Sequence, residues 1–336
     1  MSLEGDGGLS RGRGGVLVLI AVLALAGIRV ATAGLASPLP ALLQDLVTLA
    51  ISVIIESLPF VVLGVLLSVV VQLWLPEGLL LRLLPRRGIL RRAAVSLLGV
   101  LMPVCECGNV PLARGLLVSG LSVGEATTFL LAAPIVNPIT IVTTWQAFGL
   151  GDGVLVARIA GGFLLANLVG AVISTRRDGL SLLTERFAAA CSAHGHDHDH
   201  DHGGRMRRSG ELLVAELGTM VPALFLGALV AAGIQVIVPR SVLVALGANP
   251  LLSVLAMLAL AFVISVCSNV DAFFVLPFAS TFLPGGIVAF LVFGPLVDVK
   301  MISLMRTTYR GRALAVMAAI VALASLALGL AVNLGV

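Results

Sequence analysis

A chain of 336 residues that is 59% hydrophobic and only 11% charged, with a mean hydropathy of +1.12, is no ordinary soluble domain, in which about a quarter of the residues carry charge. Basic residues exceed acidic ones by 21 to 17, and in so apolar a chain that surplus reports membrane topology and not nucleic-acid binding. The four cysteines, Cys105, Cys107, Cys191 and Cys267, lack the spacing of a secreted disulfide scaffold.

Residues 1–15 read as a polar tail containing Arg11 and Arg13. Val16 to about Leu35 is the first apolar span, interrupted by Arg29. Its alternative is a signal peptide, with Ala31-Thr32-Ala33 as the cleavage-like site. Pro40 to Trp74 is a longer run containing Glu56 and Pro59, where a tilt or kink is expected. Arg82, Arg86, Arg87, Arg91 and Arg92 follow, a cluster that belongs on the cytoplasmic side.

Ala93 to Pro103 is apolar but only eleven residues long, about 16 Å as a helix and roughly half a bilayer. Cys105 to Val110 reads as a break, and Pro111 to Leu121 as a second half-length helix with Pro111 in its first turn. Two half-helices around a break predict a re-entrant hairpin. Ala126 to Phe148 is a full span broken around Pro134 and Asn137-Pro138, and Val154 to Ile173 is another. Residues 176–210 form the one long polar segment, and its arginines place it in the cytoplasm. All five histidines, His194, His196, His198, His200 and His202, lie here, interleaved with Asp197, Asp199 and Asp201. Glu211 to Val238 is the next span. Pro250 to Val266 and Ala272 to Leu283 flank a second break at Cys267–Asp271, and Gly286 to Ser303 carries a proline break at Gly294-Pro295. After the basic cluster Arg306, Arg310 and Arg312, Ala313 to Asn333 is the last span.

The two halves match. Pro59, Gly64, Gln72 and Pro76 fall on Pro222, Gly227, Gln235 and Pro239 at a lag of 163. Cys107, Asn109 and Val110 fall on Cys267, Asn269 and Val270 at 160, and Pro134 and Asn137 on Pro295 and Asp298 at 161. If each break is a re-entrant hairpin, each repeat crosses the membrane three times and the second is inverted. That arrangement puts every basic cluster inside and leaves only Arg240 in an outer loop. The expected fold is therefore an all-α polytopic membrane protein of two inverted-topology repeats, each with a re-entrant broken-helix hairpin, plus an N-terminal transmembrane helix. Its parts are 1–36 (tail and first helix), 37–175 (repeat one), 176–210 (cytoplasmic His/Asp-rich loop) and 211–336 (repeat two). Inverted repeats with broken helices meeting at mid-membrane are a recurring transporter design.

Ionisable groups in hydrocarbon cost several kcal/mol and tend to mark a site. The expected solute-binding set is Cys105, Glu106, Cys107, Asn109, Asn137, Cys267, Asn269, Asp271 and Asp298. Three thiols beside carboxylates suit a soft, thiophilic solute, a transition-metal ion or a trivalent arsenical. The bland alternative is that small cysteines pack where backbones approach. Asp271 could instead lie in a cap built by Ser268, and Asp298 could pair with Lys300. Glu56 and Arg114 are coupling candidates, Arg114 as a neutraliser of Glu106 or Glu125. No cofactor is required, but the five histidines could hold Zn, Ni, Co or Cu ions as a buffer or sensor.

The runs Pro103-Val104-Cys105-Glu106-Cys107-Gly108-Asn109-Val110-Pro111 and Phe129-Leu130-Leu131-Ala132-Ala133-Pro134-Ile135-Val136-Asn137-Pro138 resemble the signature of a family of predicted permeases. That family includes the ArsP organoarsenical efflux permeases and the YraQ-type membrane proteins. The resemblance implies a multi-pass permease of the inner (plasma) membrane working in efflux. For the ArsP branch it implies thiol recognition of trivalent organoarsenicals, which maps onto Cys105 and Cys107. The family pattern has a small residue, often Ser, between the cysteines. Glu106 stands there in this chain and turns the expectation toward a cationic metal. The partners expected are the lipid bilayer and a small-molecule or ion substrate, with no nucleic acid, and a homo-oligomer is compatible. The rival readings are an intramembrane thiol-redox enzyme using Cys105 and Cys107, and a membrane subunit without transport of its own. Cys-x-x-Cys is the commoner redox spacing, so the chain is not expected to be an enzyme.

Overall fold

The computed structural model describes residues 41–75, 79–102, 104–176, 178–193, 202–237 and 249–335. The expected first span and residues 194–200 of the histidine run lie outside them. Helices α1 (Ala41–Leu73), α2 (Leu79–Leu83), α3 (Gly88–Leu101), α4 (Glu106–Val118), α5 (Val123–Val136), α6 (Pro138–Phe148) and α7 (Val154–Ser174) make the first half. A 3₁₀ turn (Gly179–Leu182) and α8 (Glu185–Ala193) connect to the second half. There α9 (His202–Ile237), α10 (Pro250–Ile264), α11 (Asp271–Val275), a 3₁₀ turn (Leu276–Ser280), α12 (Pro284–Phe293), α13 (Val299–Met305) and α14 (Gly311–Asn333) follow. Among the described residues no strand forms, and one isolated bridge pairs Leu183 with Tyr309.

Among the described residues, five stretches are long and apolar enough to cross a membrane: Leu42–Leu73, Val123–Phe148 (α5 with α6), Val154–Ser174, Gly204–Ile237 and Gly311–Asn333. Their outward faces carry bare aliphatic side chains. Ile55, Leu164, Leu226 and Leu323 are each between 61% and 68% exposed, which is tolerable only in lipid. This is therefore a polytopic membrane protein. The centre is formed by α5, buried at every position, and α12, buried from Gly285 to Phe293.

Side-chain bonds fix which helix ends share a side. Arg91 at the start of α3 meets Glu125 at the start of α5 at 3.5 Å. The α3–α4 pair thus begins and ends at the same end of the bundle. Arg114 on α4 bonds Glu216 on α9, and the backbone N–H of Arg310 donates to Leu182, so the starts of α9 and α14 share that end. At about 1.5 Å per residue, 23-residue α14 then carries its terminus to the opposite end. There Asn333 meets Pro250 and Gly285, placing the starts of α10 and α12 with it.

Several boundaries differ from the sequence expectation. Glu106 and Cys107 are already helical, so the first break is 102–105 and Pro111 lies inside α4. Pro134 likewise lies inside α5, and the break falls on Asn137 alone. Helix α9 begins nine residues before Glu211, within the polar segment. The segment from 179 to 193 is not a free loop. Leu183 and Phe187 are buried against the bundle, and the backbone N–H of Thr184 donates to Thr308.

Candidate functional site

The start of α4 and the break after α10 meet, and α1 lies close against α4 there. A Cβ on Gly64 would lie 2.1 Å from the carbonyl oxygen of Gly108, and one on Gly108 would lie 2.3 Å from that of Phe60. Only hydrogen fits at either position, so α1 and α4 cross backbone to backbone beside Cys107. In the second half the chain leaves α10 through Ser265, whose φ of 52° is the one positive value at a non-glycine residue among the described residues. It then turns through Cys267 and Ser268 toward α4.

Glu106 is the hub. It is fully buried, and its Oε1 accepts from Lys300 Nζ at 3.1 Å. Its Oε2 accepts from Ser268 Oγ at 2.9 Å and from the Ser268 backbone N–H at 3.3 Å, with Cys267 Sγ at 3.6 Å. One side chain of α4 thereby gathers the second break and α13. Ligand atoms of Cys105, Glu106 and Cys107 all lie within 4.8 Å of one another. The Cys105 thiol interacts with both Cys107 and Cys267. Glu56, half-buried on α1, reaches Cys267 and lies in the field of Lys300 and Glu106. Soft sulfur donors beside a carboxylate are a donor set that transition metals accept.

A second buried ion pair stands beside this cluster. Arg158 of α7 grips Asp271, with Nη1 to Oδ1 at 2.9 Å and Nη2 to Oδ2 at 2.6 Å. Its Nη1 also donates to Thr144 Oγ1 at 2.7 Å. Ions inside a protein cost several kcal/mol each unless paired and hydrogen-bonded, which these are. The sequence reading missed Arg158, although a lone arginine in an otherwise apolar span was a visible signal. It also missed the role of Ser268, which donates to Glu106. The expected Ser268–Asp271 cap is absent: Val270 precedes α11 and offers no side-chain cap.

Asn137 and Asp298, matched at a lag of 161, each cap the second half of a broken helix. Asn137 Oδ1 accepts from the Ile139 N–H at 2.9 Å, and its Nδ2 donates to the Val104 carbonyl at 3.1 Å. Asp298 Oδ1 accepts from the Met301 N–H, while its Oδ2 is buried with no hydrogen-bond partner. The alternative in which Asp298 bonds the Lys300 ammonium is not realised; the ammonium bonds Glu106 across 194 positions of sequence. Asn109 donates to the Val104 carbonyl at 3.5 Å and leaves its Oδ1 unpartnered. Asn269, half-buried, accepts from Thr140 Oγ1 at 3.3 Å.

Arg114 lies apart from this site. It pairs with neither Glu106 nor Glu125 but with Glu216, Nε to Oε2 at 3.0 Å and Nη2 to Oε1 at 3.3 Å. It also donates to the Thr307 carbonyl at 3.1 Å and stacks 4.1 Å from the Phe187 ring. Glu125 closes a capping box with Ser122 at the mouth of α5. Of the histidines, only His202 lies among the described residues, as the first residue of α9.

A helical multi-pass protein that buries carboxylates, cations and thiols between broken helices has the build of a membrane permease. The chain belongs to the ArsP_1 family of predicted permeases, whose pattern spans residues 42–334. It is 37% identical over 264 residues to the UPF0718 protein YcgR of Bacillus subtilis, covering 78% of this chain and 88% of that one. It is 31% identical over 279 residues to a putative two-component membrane permease complex subunit of Streptococcus mutans, covering 81% and 89%. A shorter match, 33% over 115 residues, reaches 33% of this chain and 32% of the UPF0718 protein YraQ of Escherichia coli. No solved structure matches.

Proposed function

We propose that this permease moves a soft, thiophilic solute, a transition-metal ion or a trivalent arsenical, by alternating access through a mid-membrane site. The observation that carries the reading is the convergence of Cys105 and Cys107, at the start of α4, and Cys267, in the break after α10, onto the buried carboxylate of Glu106. Thiol ligation supplies affinity, and Asn109, Asn137, Asn269, Asp271 and Asp298 line the breaks. Two features support inverted repeats with re-entrant hairpins. The helices run in the same order in both halves, and α3–α4 opens at one end of the bundle while α10–α11 opens at the other. The basic clusters orient residues 77–92, 176–210 and 304–312 to the cytoplasm of an inner membrane. Efflux follows from the family likeness. The histidine run, His194 to His202, acts as a cytoplasmic metal buffer or sensor off the pathway. By likeness to the Streptococcus protein, a second membrane subunit is a candidate partner.

Calorimetry on purified protein in detergent tests this with Zn²⁺, Ni²⁺, Co²⁺, Cu⁺ and a trivalent organoarsenical. Three proteins are compared: the intact chain, a Cys105→Ser/Cys107→Ser variant, and a variant with all five histidines changed to Ala. Binding lost only in the cysteine variant supports the thiol site. Binding lost only in the histidine variant sinks it. Flux in liposomes then separates a permease from a subunit with no transport of its own.

A further inference from the structure

Lys300 is the one lysine in the chain, and it is fully buried. Its ammonium, with three donors, makes a single hydrogen bond, to Glu106 Oε1 at 3.1 Å. Two residues earlier stands Asp298, whose Oδ2 is buried and without a partner. The two side chains already feel one another's charge. The other groups facing Lys300 are the Cys107 and Cys267 thiols and Glu56 of α1. Arg158 is not free to intervene, since its fork is held by both oxygens of Asp271. Helix α9 passes close over this corner: a Cβ on Gly227 would lie 3.1 Å from the Lys300 Cα. The backbone is therefore pinned, and only the four-carbon stem can move.

We propose that Lys300 is a tethered stand-in for a cationic solute: its ammonium neutralises Glu106 in the empty carrier and swings to Asp298 Oδ2 when a soft divalent cation binds Glu106 and the thiols. This rests on the thiol-site reading above and narrows it to cations. The charge balances. A divalent ion replaces the protons of two thiols, which leave to water, so the ion with its two thiolates adds no net charge. Glu106 then exchanges its ammonium for the metal, and the ammonium exchanges Glu106 for Asp298. The cluster carries one net negative charge in both states, on the capping carboxylate of Asp298 in the empty carrier and on Glu106 with the metal in the loaded one, so loading adds no further unpaired ion. Asp298 Oδ1 remains the cap of α13 throughout, which leaves Oδ2 as the receiving atom. A neutral arsenical requires no such exchange.

The experiment is Cd²⁺ binding by calorimetry, with neutral phenylarsine oxide as the uncharged probe. Lys300→Arg keeps the charge but clamps Glu106 in a two-pronged pair, so Cd²⁺ is expected to weaken by about tenfold with the fold intact. Asp298→Asn keeps the cap and removes the receiving charge, and Cd²⁺ is expected to weaken by about tenfold in the native background. In a Lys300→Met background, where no ammonium needs a new partner, the same Asp298→Asn change is expected to cost less than about twofold. Phenylarsine oxide affinity moves less than about twofold throughout. Native-like Cd²⁺ affinity in Lys300→Arg overturns the proposal, and so does an equal Asp298→Asn effect in both backgrounds. Should Lys300→Met not fold, the Lys300→Arg result decides alone. Cd²⁺ binding that survives Cys105→Ser/Cys107→Ser sinks the thiol site itself. Thiol-dependent binding indifferent to Lys300 and Asp298 sinks only the exchange.

Discussion

Arg158 and Asp271 are joined by two parallel hydrogen bonds of 2.9 and 2.6 Å, tying α7 to the start of α11. Both side chains are 2% exposed or less. Removing one partner leaves an uncompensated ion in a buried site, so Arg158→Leu or Asp271→Leu is expected to destabilise by about 3–5 kcal/mol. The double variant Arg158→Leu/Asp271→Leu leaves no orphan charge and is expected to recover most of that loss. Thermal unfolding of the four proteins in detergent measures it. Single variants as stable as the native protein contradict the bidentate geometry.

The crossing of α1 over α4 makes a sharper steric prediction. Gly108→Ala places a methyl 2.3 Å from a backbone oxygen, which cannot rotate away as a side chain could. The helices must part, at a cost of about 1–3 kcal/mol for overpacking. Because Cys107 and Glu106 ride on the same turn, metal or arsenical binding should fall with stability. A Gly210→Ala control, at a position with open space around it, is expected to change neither. Normal stability and binding in Gly108→Ala would show that the helices do not cross so closely.

Arg114 and Glu216 join the C-terminal half of the same helix to α9. Their side chains are 9% and 12% exposed, and the guanidinium also holds the Thr307 carbonyl and the Phe187 ring. Arg114→Gln is expected to cost about 2 kcal/mol, and to release α8 from the bundle because the cation under Phe187 is gone. Limited proteolysis between residues 176 and 201 reads the release: cleavage should be faster by about tenfold. Unchanged cleavage would mean that α8 is held by Leu183 and the Thr184–Thr308 bond without help from Arg114.

The polytopic helical class was legible in hydropathy because span length and apolar composition are local properties. Val154 to Ile173 and Ala313 to Asn333 lie within two residues of α7 and α14. Asn137-Pro138 also announced its break, since an Asn cap followed by proline is a local signal. Pro111 and Pro134 misled, because proline tells where a helix is disfavoured and not where packing tolerates it. Pairing was the least legible. Glu106 finds Lys300 at 194 residues' separation and Arg114 finds Glu216 at 102, and charge sign alone admits several partners. Asp298 next to Lys300 in sequence was the natural choice. The helix cap that Asp298 makes with Met301 turns one oxygen away from it.

The four cysteines should separate cleanly in thiol labelling. Cys105, Cys107 and Cys267 are 1%, 0% and 3% exposed, whereas Cys191 on α8 is only half-buried. A maleimide is expected to modify Cys191 alone in the folded protein, and the other three only after denaturation. Burial holds the Cys191 thiol above its usual value, against a smaller opposing pull from Arg114 and with a still smaller push from Glu216. The thiolate therefore forms at higher pH than for a free cysteine, and the labelling rate should keep rising on the alkaline side of the usual thiol range. Arg114→Gln, expected to release α8, should raise the rate at fixed pH because the thiol loses its burial; a lower rate would mean that α8 stays docked and only the cation favouring the thiolate is lost. Mass spectrometry of modified peptides against pH distinguishes the two. Early labelling of Cys105 or Cys107 in the native protein would mean that water reaches the thiol site directly, and the enclosed site described for Glu106 would have to be abandoned.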